Sequence, residues 1–270
     1  MKTVVQQPMN NWQLIRALVA RKTVPFEQFK PSTIRINYLS TNAEQRAAFR
    51  LFFDCQQIPP SYLFNISYRY IGQLLAQAHF SSKLMGLIHL SSQFQLLESV
   101  NWRDTFDLIL SFTACNRTDK GLIYRIEINL IQRDKACLVC VNEILDKDLS
   151  FRSSQKREHN PACGELIDSI DLDVKKARAY AKLSGDFNPI HLSSASAKLL
   201  GMKNCVMHGM FNLHWSLTKI PLSSGVKQIN AKFNQPCFLP REVKLVGMDT
   251  GTYGLFSNNL ENRHLHLTLM

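Results

Sequence analysis

The side chains best suited to chemistry lie in two short segments. The first is Ser184-Gly185-Asp186-Phe187-Asn188-Pro189-Ile190-His191, and the second is Met207-His208-Gly209-Met210. A carboxylate and an imidazole held together on one short loop can pass protons to and from a small bound molecule. Pro189 fixes its own φ and pushes Asn188 toward an extended backbone, which stiffens that loop. Gly209 has no side chain to cover its N–H and stands where a helix begins. The positive end of the helix dipole favours developing negative charge there, and an oxyanion donor of this kind lowers a barrier by about 3–4 kcal/mol. Asp186, His191 and Gly209 therefore point to proton transfer on a carbonyl compound, with the Asn188 amide orienting a water or a loop carbonyl.

The elements that position these residues can be read from capping and periodicity. Asp173 is an N-cap for a helix over Val174–Leu183, and Gly185 ends it. Ser193 or Ser194 caps a short helix through Leu200, closed by Gly201. A third helix starts near His208, with Met210, Leu213, His214 and Leu217 as its inner stripe and Pro221 after its end. Strands follow at Val226–Phe233, Arg241–Met248, Tyr253–Ser257 and Arg263–Met270. In the last, Leu265, Leu267 and Leu269 face one way, and His264 and His266 face the other. His208 reads as a helix cap or loop-ordering residue and His214 as a hydrogen-bonded core histidine. His264 and His266 read as a solvated face rather than half a metal site. Lys198, Lys203 and the Lys175-Lys176-Arg178 cluster fit a solvated surface as well as they fit contacts to phosphates.

The first half shows the same order of elements. A helix is expected over Asn42–Asp54, stopped by Pro59-Pro60. A second, over Tyr62–Phe80, has Ile71, Leu74, Leu75 and Ala78 on one stripe. Tyr124, Ile126, Ile128 and Leu130 alternate with Arg125, Glu127 and Asn129 as a half-buried strand, Thr118-Asp119-Lys120-Gly121 makes a hairpin turn, and Ala136–Val141 is a continuous apolar strand. Residues 149–162 lose periodicity and turn polar and basic, which marks a linker between domains at 1–150 and 160–270. A long helix wrapped by a curved antiparallel sheet is the hotdog arrangement, and two in one chain give an α+β double hotdog.

Composition narrows the function classes. Hydrophobic residues make up 45% and charged residues 20%, and no apolar run approaches the ~20 residues of a membrane helix. The formal net charge of +11 suits an anionic partner, but no zinc-finger spacing, aromatic RNA-binding signature or basic heptad accompanies it, so nucleic acid is disfavoured. Met1–Arg21 has Trp12, Leu14, Ile15, Leu18 and Val19 at roughly helical spacing. It lacks the pattern of a secretory signal and reads as a helix packed on the first domain rather than an organelle transit peptide. The seven cysteines form no framework, which suggests reduced thiols in the cytoplasm. Cys137 and Cys140 have the spacing of a redox or zinc half-site but lie in an apolar strand without a second pair, so they read as core.

The motif Ser-Gly-Asp-Phe-Asn-Pro-Ile-His, preceded by Ala179-Tyr180-Ala181 and followed by Ala197, Gly201 and His208-Gly209-Met210, resembles that of the MaoC-like dehydratases, which include the (R)-specific enoyl-CoA hydratases. Lys232-Phe233-Asn234-Gln235-Pro236-Cys237-Phe238-Leu239-Pro240 is similar to the strand that follows in that family. The first half resembles it only through Pro60-Ser61-Tyr62 and Leu84-Met85-Gly86-Leu87-Ile88-His89, with no acid–base motif. The resemblance implies reversible hydration of trans-2-enoyl thioesters to (R)-3-hydroxyacyl thioesters in fatty-acid metabolism. It implies that Asp186 and His191 hold the water and move the protons, and that the first half serves the acyl chain. The substrate would ride on coenzyme A or acyl carrier protein, with no cofactor or metal, in a monomeric double hotdog or a homodimer. The rival readings are a hotdog thioesterase and a non-catalytic acyl-thioester-binding regulator. The Asn-Pro-Ile-His continuation argues against the first, and the intact Asp186–His191 pair against the second.

Overall fold

The chain was analysed as a computed structural model, which describes residues 2–5, 9–10, 12–13, 16, 24–25, 28–78, 87–147, 163–257 and 259–270. The expected linker at 149–162, Phe80, the segment Leu84–Gly86, and Leu14, Ile15, Leu18 and Val19 lie outside the described residues. The fold is a double hotdog. It divides into two compact units, one made of residues 1–43 and 63–153 and the other of 44–62 and 154–270.

In the first unit the strands are β1 (Lys2–Val5), β2 (Ser32–Leu39), β3 (Ile88–Leu96), β4 (Phe106–Thr118), β5 (Gly121–Gln132) and β6 (Lys135–Lys147). They run β1-β2-β4-β5-β6-β3 across the sheet. β1 and β2 are parallel and the remaining pairs antiparallel. β5 buries Tyr124, Ile126, Ile128 and Leu130, because its apolar residues recur at the two-residue period of a pleated strand. Asp119 and Lys120 make the turn between β4 and β5, with Gly121 at φ 133°, a conformation open to glycine. The helix of this half, α2 (Tyr62–Gln77), buries Tyr70, Ile71, Leu74 and the following Ala78. Leu75 is only half-buried. Cys137 and Cys140 are buried free thiols, and burial pushes the Cys140 thiol far up. Trp12, expected on a packed face, is instead 82% exposed.

The second unit has strands β7 (Glu165–Leu172), β8 (Gln228–Phe233), β9 (Arg241–Asp249), β10 (Thr252–Ser257) and β11 (Asn262–Leu269), in the order β8-β11-β10-β9-β7. All of these pairs are antiparallel. Its helices are α3 (Val174–Ser184), α4 (Ser194–Leu199) and α5 (Gly209–Lys219). The side chains from Met210 through Leu217 of α5 are all buried, so it is enclosed on every side rather than along the expected stripe. A helix in that position is the core its sheet curves around.

Two expectations are corrected here. β11 pairs with β10 on one side and β8 on the other, so it is an interior strand of this unit's sheet. His264 is accordingly buried rather than solvated: its Nε2 accepts from the Ser257 hydroxyl at 2.8 Å and its Nδ1 donates to the Gln235 carbonyl at 3.3 Å. The second concerns α1 (Ala43–Phe53), which the sequence placed with the first half and which groups mostly with the second unit. Its Phe53 ring lies 5.5 Å from both Phe211 and His214 of α5 and 6.1 Å from Tyr180 of α3.

Phe53 therefore anchors a distant segment into the second unit's core. Phe53→Ala is expected to destabilise the protein by about 3–5 kcal/mol, the usual cost of deleting a buried aromatic ring, read from the shift in urea midpoint. A loss below ~1 kcal/mol would mean that α1 is a peripheral element.

Candidate active site

The loop carrying Asp186 and His191 is built from local caps. Asp173 begins α3 by accepting the Lys176 N–H at 2.7 Å, and Gly185, at φ 79°, ends it with its N–H on the Ala181 carbonyl. Ser184 bridges the exit: its hydroxyl donates to the Tyr180 carbonyl at 2.9 Å and accepts the Asp186 N–H at 3.2 Å. Two side-chain turns follow. Asp186 Oδ1 accepts the Asn188 N–H at 3.1 Å, and Asn188 Oδ1 accepts the Ile190 N–H at 3.3 Å, a habit of these short side chains. Asn188 thus uses its carbonyl oxygen to set the loop. Pro189–His191 form one 3-10 turn, which ends with His191 buried.

The second segment is laid against the first by backbone bonds. The Val206 N–H donates to the Ile190 carbonyl at 3.0 Å, Met207 N–H to Cys237 O at 2.8 Å, and Leu239 N–H to Cys205 O at 2.8 Å. His191 Nδ1 lies 2.6 Å from the Val206 carbonyl. A carbonyl only accepts, so Nδ1 carries the proton and Nε2 presents a lone pair. His208 is fixed by the same reasoning. Its Nε2 is 3.1 Å from the Asp186 carbonyl and must carry the hydrogen, which leaves Nδ1 as an acceptor. The two imidazoles stack with centroids 3.8 Å apart and planes at 24°.

Burial sets the electrostatics. His191 is 8% exposed, and its pKa falls below the usual histidine value. Burial is the main cause, opposed by the charge of Asp186 and by the Val206 carbonyl. His208 is held down to about 3 by burial and then by His191, with Asp186 opposing. Both rings are therefore neutral near pH 7. One candidate ligand atom from each of Asp186, His191 and His208 lies within 4.8 Å of the others. That spacing lets one water sit at hydrogen-bond distance from two of them. It suits a metal ion poorly, because lone pairs in two stacked rings run side by side and do not meet ~2 Å from both nitrogens. His191 Nδ1 and His208 Nε2 are also already committed to carbonyls.

Gly209 opens α5 directly after His208, and the first i→i−4 bond is Asn212 N–H to His208 O at 3.3 Å. The Gly209 amide comes before it, in the first turn, where no helical carbonyl lies four residues back. A packing reason for glycine also emerges: a Cβ there would lie 3.1 Å and 3.3 Å from two Phe233 ring carbons. Packing and access to the N–H thus ask for the same residue.

The MaoC like domain family matches residues 164–261, the stretch that carries the loop, the helix start and the strands around them. Over that stretch the chain carries a MaoC like domain. Over the whole chain, 3-hydroxyacyl-thioester dehydratase X of Mycobacterium tuberculosis is 23% identical across 272 residues, covering 97% of each. A crystal structure of HtdX from that organism superposes with a TM-score of 0.74 at 22% identity, over 88% of this chain and 98% of its own. A MaoC-domain dehydratase from Chloroflexus aurantiacus, named as such only provisionally, gives 0.64 at 10% identity, over 93% and 99%. At these identities the solved structures speak for the fold.

Within the MaoC-like domain the structure brings together Asp186 and His191 and holds Asn188 in the loop between them, with Gly209 next to His208, the ring stacked on His191. The sequence had left two features without a definite place. One is the stacking of His208 under His191. The other is His214, whose Nδ1 lies 2.6 Å from Ser61 Oγ, with the ring wholly buried among Phe49, Phe53 and Tyr180. The expected hydrogen-bonded core histidine is there, but its partner comes from far along the chain.

His214, like His208, is held down to about 3 by burial. Unfolded histidines titrate near 6.5, so between about pH 6.5 and 3 the unfolded chain binds more protons. Stability is then full above that window and lost as pH falls through it, by up to ~1.4 kcal/mol per pH unit for each histidine. The urea midpoint should drop between pH 7.5 and 5. Ser61→Ala together with His214→Phe, which removes both partners, should flatten that slope. An unchanged slope would show that His214 does not contribute to it.

Proposed function

We propose that this protein reversibly hydrates trans-2-enoyl thioesters to (R)-3-hydroxyacyl thioesters, with Asp186 and His191 as the acid–base pair. The observation that carries this reading is the Nε2 lone pair of His191, set by the 2.6 Å bond from Nδ1 to Val206 and close to the Asp186 carboxylate. Support also comes from the family of residues 164–261 and from the likeness to the Mycobacterium tuberculosis dehydratase.

In the hydration direction one water is held between Asp186 and His191. The pair removes a proton as the water oxygen bonds to the β-carbon. The double-bond electrons move toward the α-carbon and thioester carbonyl, and the oxygen gains negative charge opposite the Gly209 N–H. The pair then returns a proton to the α-carbon, so H and OH are added and the enzyme is unchanged. Dehydration is the same path reversed. Asn188 keeps the loop in shape for both directions. No cofactor or metal takes part.

The acyl group would be carried by coenzyme A or acyl carrier protein, both anionic and matched to the net charge of +11. The N-terminal half, residues 1–150, would be non-catalytic and accommodate the acyl chain. The free thiols fit the cytoplasm, and the working form would be a monomeric double hotdog or a homodimer, acting in fatty-acid metabolism.

The test is loss of the crotonyl-CoA double-bond absorbance on adding the protein. Asp186→Asn and His191→Ala are each expected to lower kcat by about 10²–10⁴-fold with little change in KM, and to be non-additive because they share one water. Since the base form of His191 is the neutral one and burial lowers its pKa, the acid limb of kcat/KM should lie below pH 6.5. Thiol release without loss of the double bond would replace this reading with a thioesterase. Binding of crotonyl-CoA with neither signal would replace it with a non-catalytic binder.

A further inference from the structure

We propose that His208 is the positioning residue of this site: it sets the ring plane of His191 by stacking against it and the place of Asp186 by donating to its carbonyl, and it does both as a neutral Nε2–H imidazole. The inference deepens the hydratase reading and rests on it where turnover is measured.

Three observations meet in this side chain. Its ring lies flat on His191, with centroids 3.8 Å apart. Its Nε2 donates to the backbone carbonyl of Asp186 at 3.1 Å. On another side the Tyr180 ring of α3 meets it edge-on at 4.8 Å. A ring gripped in this way has little freedom to turn, and it stands at the N-cap of the buried helix α5. The cap position usually goes to a side chain that accepts from the first turn, but His208 makes no such bond. The histidine is therefore turned away from its own helix and toward the loop.

Its charge state follows from its neighbours. The titratable groups around His208 are His191, Asp186 and Tyr180. A proton added to Nδ1 would put a cation in a buried place against the face of His191, the ring that must itself gain a proton during turnover. Nδ1 is buried without a hydrogen-bond partner among the described residues, and burial outweighs the nearby charge of Asp186, which favours the added proton. A neutral ring at His208 does not compete with His191 for the charge of Asp186.

Two replacements each supply one of these parts. Phenylalanine has the ring face but no donor. Glutamine can reach with a donor but offers no face. These two replacements separate the roles. In His208→Phe, His191 keeps its wall but Asp186 loses its tie, so kcat should fall by about 10–100-fold, as expected for a misplaced catalytic group, with KM little changed and the acid limb unmoved. In His208→Gln the tie is kept and the wall is lost. Water then reaches His191, the depression of its pKa is relieved, and the acid limb should move to higher pH along with a fall in kcat. A residue needed only for folding would lower active protein without moving the limb.

The decisive measurement on the unaltered protein is the imidazole ¹⁵N spectrum. His208 should remain a single neutral Nε2–H tautomer from pH 8 to about pH 4, given a pKa near 3, while His191 shows Nδ1–H. Titration of His208 near 6.5, or the Nδ1–H tautomer, would overturn the proposal even if both variants fail to fold. Wild-type kcat in both variants, or an unmoved limb in His208→Gln, would overturn it as well. If the unaltered protein shows no hydration of crotonyl-CoA, the functional reading fails, and the spectrum still decides whether His208 holds the pair in place.

Discussion

The site depends on the bond between His191 Nδ1 and the Val206 carbonyl. At 2.6 Å it fixes the tautomer and leaves one lone pair for chemistry. It also helps join two stretches of chain that are separate in sequence. Val206 is held in turn by its own N–H on Ile190, and its neighbours by backbone bonds to Cys237 and Leu239. The imidazole is therefore referenced to the 205–207 segment and through it to the 237–239 segment, rather than to its own loop alone. A short loop with only local bonds could not keep a buried ring in one orientation. The surrounding backbone supplies that constraint, because buried amides and carbonyls must find partners.

Burial of His191, His208 and His214 in one unit is costly unless each is committed. His191 and His208 each spend one nitrogen on a carbonyl, and His214 spends one on Ser61. Each is kept neutral by the low polarity around it. The same exclusion of water that costs stability strengthens every interaction inside the site, so acid sensitivity and the strength of the bonds within the site share one physical origin.

What was legible in the sequence was local. Asp173, Gly185, Ser193 and the Asn188-Pro189 pair announce helix ends and turns through their own side chains, and the structure uses each of them there. The alternation at Tyr124–Leu130 names its own buried face. What was hidden is long-range. Nothing near His214 indicates that Ser61 will meet it, and nothing near Ala43–Phe53 says which unit its aromatic face will join. His264 looked solvated because alternation alone cannot tell an edge strand from an interior one. The pairing of β11 with both β8 and β10 decides it. The stack of His208 on His191 was hidden for the same reason, since it exists only once the Ile190–Val206 bond is made. The roles expected of Asp186, Asn188 and Gly209 came from the motif; their geometry came from the fold.

The allegiance of residues 44–62 to the second unit has a consequence for how the chain is made. During synthesis this segment leaves the ribosome early, while the residues it packs against, Tyr180, Phe211 and His214, arrive only in the last third of translation. Until then Phe49, Phe53 and Tyr62 have no core to enter. The first unit can assemble its sheet in the meantime, but it must do so with a greasy insertion left hanging. Nascent chains of this kind are natural clients for chaperones that shield apolar segments. The segment also fixes where the gene can be cut: a fragment beginning at residue 160 would lack one wall of its own core.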